Sequence, residues 1–217
     1  MKNAKNIVLQ LSSKLVTLFA ALALAGMTES ASAGNDENEI KFDLVRSGAV
    51  VAAGDTVLPN AHGRVKIESV GPVEIMDVKV SGLPGNTDFD FFVIQVPNGP
   101  NFGLSWYQGD IETNRYGVGH GTFIGRFSIE TFIVAPGATP APTPHSSPPF
   151  PDASTNPATP PVHTFHLGLW FNDPNDAAKA GLPPTVTPFN GEHNAGLQVL
   201  STRNFPDNAG PLSQISP

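Results

Sequence analysis

From residue 40 onward the chain runs in short stretches where apolar and polar residues alternate, cut at close intervals by Gly, Pro and Asn. A period of two puts successive side chains on opposite faces of a strand. Met76, Val78 and Val80 therefore share one face, and Asp77 and Lys79 the other. Phe123, Phe127, Ile129 and Ile133 share a face opposite Arg126, Ser128 and Glu130. The stretch 89–96, FDFFVIQV, is apolar on both faces after Asp90, which suits a central strand. Strands are predicted at 40–46, 64–70, 73–81, 89–96, 122–134, 162–171 and 196–202, with a further candidate at 101–108. Many short strands between turn residues are the pattern of a sandwich or barrel. The expected fold class is all-β, an antiparallel β-sandwich.

Helix is nearly absent from this pattern. The exception is 173–181, DPNDAAKAG, where Asp173 can cap the N-terminus, Pro174 suits the first helical position, and Gly181 can end the turn left-handed. Residues 136–161 hold ten prolines in 26 positions, an extended segment with nothing to form a core. The 162–202 stretch beyond it offers two strands and one short helix. About 40 residues without a disulfide or metal seldom fold alone, so both strands are expected to return to the first sheet. The prediction is one domain over 34–217, with a Pro-rich loop at 136–161 and a loose tail from about 204.

The N-terminus reads as an export signal. Lys2, Lys5 and Lys14 precede an apolar run at 15–27, and Ala31-Ser32-Ala33 supplies small residues where signal peptidase cuts. Thirteen apolar residues are too few to span a bilayer core, which needs about 20. Cleavage is expected after Ala33, giving a secreted or periplasmic protein with no membrane insertion. Losing residues 1–33 removes three Lys and one Glu, so 12 Lys+Arg become 9 and 19 Asp+Glu become 18. An acidic chain without Lys/Arg clusters is a poor match to nucleic acid. It contains no Cys, so no disulfides hold it together.

Residues 80–93, VSGLPGNTDFDFFV, resemble the corner between two strands in fibronectin-III-like and related Ig-like bacterial sandwiches. The resemblance implies that Leu83 plugs the core and that Phe89, Phe91 and Val93 face inward. Phe89 stands where that family carries a corner tyrosine, so the tyrosine's hydroxyl bond is missing. Gly117-Val118-Gly119-His120-Gly121 is similar to turns of secreted β modules, the chordin-like (CHRD) domain among them. Neither likeness implies an activity.

Chemistry-bearing residues are sparse. His163 and His166 form an H-x-x-H, but three residues apart on a strand they point to opposite faces. A metal site would need three or more converging ligands, with His120, His166 and His193 as candidates and His62 a further source. Asp88 with Asp90, and Asp110 with Glu112, are carboxylate pairs without a sign of the cleft a glycosidase needs. Asn172 to Asp176 has oxygen ligands for Ca²⁺, yet helix capping accounts for it with less. Thiol catalysis is excluded, and no nucleophile elbow, phosphate-binding loop or zincin motif occurs.

The most suggestive stretch is 102–110, FGLSWYQGD, with glycines at 103 and 109. Trp106, Tyr107, Gln108, Asp110 and the nearby Arg115 combine aromatic planes with donors and acceptors, as a ligand site on a sandwich-end loop would. The competing reading is that adjacent strand residues diverge, leaving one aromatic in the core and the other at the surface. The residues point to a secreted, non-catalytic binding or structural module with no cofactor, whose partner is an extracellular polymer, surface or protein. The alternative is a secreted metal-binding protein or metal-dependent enzyme using the histidines.

Overall fold

The computed structural model describes residues 38–97, 102, 105–127, 129–130, 162–187 and 194–215. Residues 1–33, expected above to be an export signal, the Pro-rich segment at 136–161 and His193 lie outside the described residues. Ten strands follow in chain order: β1 (Glu39–Arg46), β2 (His62–Val70), β3 (Val73–Ser81), β4 (Phe89–Ile94), β5 (Ser105–Asp110), β6 (Gly119–Gly125), β7 (Ile129–Glu130), β8 (Val162–His163), β9 (His166–Phe171) and β10 (Gln198–Ser201). Eight of them form one nearly closed antiparallel sheet in the order β5-β4-β9-β10-β1-β2-β3-β6, while β7 pairs with β8. The protein is all-β in class.

β1 joins the halves of the sheet. Glu39 to Leu44 ladder with β2, then Val45 pairs with Ser201 and Arg46 with Leu200 on β10. Of the three strands beyond the Pro-rich segment, β8 pairs only with β7, so the strand expected over 162–171 is split, while β9 and β10 lie mid-sheet, with β9 between β4 and β10. Its register sets Leu169 against Phe91 and Leu167 against Val93.

The alternation places the core. Met76, Val78, Val80, Phe89, Phe91 and Val93 are buried together with Leu167, Leu169 and Phe171, and Leu83 closes that cluster at the β3–β4 corner. Phe91 stacks on Phe123 of β6, with ring centroids 5.1 Å apart. At the corner, Gly82 and Gly117 both have positive φ, 69° and 72°. A Cβ on Gly117 would lie 1.9 Å from the Leu83 carbonyl oxygen, so only glycine lets the β5–β6 connection close on the β3–β4 corner.

Three expectations need correction. The strand expected over 122–134 is broken: β6 ends at Gly125 and β7 takes up Ile129–Glu130, with the Phe127 N–H between them donating to the buried Glu74 carboxylate at 2.7 Å, while 131–134 lie outside the described residues. The tail from 204 is not loose: Leu212 and Ile215 are buried in the main core, and Phe205 packs edge-on against Phe42. A short helix α1 (Gly48–Ala52) also follows β1, started by Ser47, whose hydroxyl accepts from the Val50 N–H and donates to the Gln198 carbonyl. The expected helix is α2 (Pro174–Lys179), capped by Asp173 with Pro174 in its first turn, and Gly181 follows it at φ 81°.

Candidate functional site

The 102–110 stretch is an edge strand over its second half, not a loop at the end of the sheet. Trp106 and Tyr107 consequently part. Trp106 lies opposite Val93 and packs, half-buried, against the main core. Tyr107 lies opposite Phe92 and joins a second aromatic group on the outer face. There the Phe92 ring is 5.5 Å from Tyr107 and 5.2 Å from Trp170, and Phe102 meets Trp170 at 4.9 Å.

Tyr107 and Asp110, three residues apart, would face oppositely on a regular strand. A register shift lets them meet: Phe92 pairs with Tyr107 and Phe91 with Gly109, so Gln108 is passed over. Gly109 absorbs the bulge at φ 148°. The Tyr107 hydroxyl then donates to Asp110 Oδ1, while the Gln108 amide turns back to the Trp106 carbonyl. Gly109 is the sequence signal for this bulge, which period-two reading passes over.

Burial pushes the Tyr107 hydroxyl above its ordinary range, and the bond to Asp110 and the charges of Asp110, Asp90 and Asp88 push the same way. A phenol raised in the fold contributes stability that is complete below about pH 10 and is lost as the pH climbs beyond it. The chain has two tyrosines, so a Tyr116→Phe background isolates Tyr107. Tyrosinate absorbance there is expected to rise only at pH above the usual value, and Asp110→Asn to bring the transition down.

Arg115 turns to a different neighbour. Its guanidinium lies 4.5 Å over the Tyr116 ring and donates to the Tyr116 hydroxyl. Tyr116, passed over in the sequence, is 70% exposed. The backbone beneath it is firmly held. Asn114 Oδ1 accepts from the Tyr116 and Val118 N–H groups at 2.9 and 3.2 Å. Asn86 N–H donates to the Asn114 carbonyl and Leu83 N–H to the Gly117 carbonyl. Asn-x-x-Gly at 114–117 is the turn signal that would have located it.

The histidines do not gather. His166 is fully buried, with Nδ1 at 2.9 Å from the Thr202 hydroxyl and Nε2 at 3.1 and 3.0 Å from the Pro206 and Asp207 carbonyls. Both ring nitrogens are thus spent on the fold. His120 lies on β6, 3.6 Å from Asp77, which also accepts from Thr122. Among the described residues, no three His, Cys, Asp or Glu side chains are grouped to hold a metal ion. Of the acidic positions, Asp88 accepts from the Phe89 N–H, and Asp173 from Asn175 as the cap of α2. No helix among the described residues is long and apolar enough to cross a membrane.

Compared with known protein families and with curated proteins, the chain matches none.

Proposed function

We propose that the protein is an exported, non-catalytic β-sandwich module that binds an extracellular polymer through the hairpin carrying Arg115 and Tyr116. The carrying observation is the exposure of Tyr116 on a backbone fixed by the Asn114 side chain and by the β3–β4 corner. Tyr116 is joined at the surface by Val118 two residues on, and an aromatic beside a guanidinium is of the composition enriched in contact sites. A loop already held in place loses little entropy when a partner docks. Tyrosine and arginine are also the residue types that dominate binding hot spots.

The remaining parts of this reading have separate supports. The sandwich assignment draws on the two four-stranded groups, β5-β4-β9-β10 and β1-β2-β3-β6, meeting through only two residue pairs of β1 and β10. Export draws on the basic, apolar and small-residue order of 1–33. The non-catalytic assignment draws on His166, Glu74, Asp173 and Ser47, each of which bonds to the backbone it stabilises.

Cosedimentation of the purified mature protein with insoluble peptidoglycan, cellulose and chitin tests it. Retention on at least one is expected, weakened about tenfold or more by Tyr116→Ala with the melting temperature unchanged. Retention on none sinks the polymer reading. Full retention by Tyr116→Ala removes the hairpin from it.

A further inference from the structure

We propose that His166 is a pH-operated latch that holds the C-terminal segment, residues 202–215, against the sheet near neutral pH and releases it in acid.

The hydrogen bonds suit the neutral imidazole with its proton on Nε2. Two backbone carbonyls, of Pro206 and Asp207, face Nε2, so that nitrogen carries the proton and donates. Nδ1 is left as an acceptor, and the Thr202 hydroxyl donates to it. The Thr202 oxygen in turn accepts from the Leu167 N–H. One neutral imidazole tautomer therefore ties β9 to the chain on both sides of Arg203.

A second proton would sit on Nδ1 and point at the Thr202 hydroxyl, which would have to turn its own hydrogen away. The added charge would also lie at a site closed to water. The rest of the segment leaves no room to adjust. A Cβ on Gly210 would lie 2.1 Å from the Phe165 carbonyl oxygen and 2.7 Å from the imidazole Cε1, so a side chain at 210 would not fit between the segment and the ring. Leu212 N–H donates to that Phe165 carbonyl, and Arg203 Nε donates to the Arg46 carbonyl.

Asp207, on the segment itself, is the charged group whose field favours the cation, and the backbone groups of Asp207, Pro206 and Thr202 that bond the ring favour it too. Burial outweighs them and holds the imidazole below its ordinary range. A histidine depressed in the fold gives stability that is complete above its unfolded value, about 6.5, and that falls as the pH drops below it. With one proton taken up on release, the opening equilibrium grows by up to about tenfold per pH unit in that window.

Hydrogen exchange read by mass spectrometry between about pH 8 and pH 5, corrected for intrinsic exchange rates, tests the latch. Protection over 203–213 is expected to fall below about pH 6.5 while β2 and β3 keep theirs. In His166→Gln, whose amide still donates but does not titrate, that pH dependence should vanish. Imidazole ¹⁵N shifts of the unmutated protein give the same answer without relying on the variant's folding. Protonation of His166 should track the loss of protection. Constant protection across the range, or loosening while His166 stays neutral, overturns the proposal.

Discussion

Phe91→Ala is expected to cost about 3–5 kcal/mol, as truncating a fully enclosed phenylalanine does. Its ring is buried on β4, stacked on Phe123, with Leu169 as its neighbour on β9. Those contacts come from β6 and β9, which are far apart in the sheet order, so no single element can move in to fill the cavity. The loss should appear in urea unfolding as a lower midpoint at an unchanged slope. Phe127→Ala, another fully buried ring, serves as the companion measurement. A cost below about 1 kcal/mol at both would mean that neither ring fills the space described.

Gly117→Ala is expected to cost about 2–4 kcal/mol, although it adds a single methyl group. Two penalties combine. An L side chain at φ 72° is strained, and its Cβ would meet the Leu83 carbonyl oxygen at 1.9 Å. The obstacle is backbone, which cannot rotate away as a side chain can. Relief requires the hairpin to lift from the corner, breaking the bond from Leu83 N–H to the Gly117 carbonyl. Polymer retention should fall along with stability. That contrasts with Tyr116→Ala, which should lose retention alone. A variant that melts like the unmutated protein would show that the corner closes some other way.

The parts of this fold that were legible in the sequence are those written in local periodicity. Met76, Val78 and Val80 alternate cleanly and are buried on one face. The helix at α2 carries its own cap, proline and terminal glycine, and it formed where those residues put it. Non-local features were not legible. Tyr107 and Asp110 share a face only because a bulge at Gly109 shifts the register, and alternation alone predicts the reverse. Phe205, Leu212 and Ile215 lie in turns and one short 3-10 helix (Pro211–Gln214), too brief for a repeat to show in the sequence, although the segment packs on the core. α1 spans five residues, too short to leave a helical repeat. Exposure is a property of the assembled surface, so the residues alone favour Trp106 over Tyr116, which is the more exposed of the two.

The position of β9 constrains the order of assembly. Phe91 of β4 finds its neighbour Leu169 only after the whole Pro-rich segment has been added to the chain. Pairings this distant in sequence must close a long loop before they return any stabilisation, which slows folding. β1, β2, β3 and β6 can zip together, as can β4 and β5, but the two groups join into one sheet only when β9 and β10 enter between β4 and β1. A chain emerging N-terminus first is therefore unable to complete its core until nearly all of it has been delivered. For a polypeptide threaded unfolded through a narrow channel, as the proposed export requires, that delay keeps it threadable to the end, and the last strands to arrive are the ones that lock it.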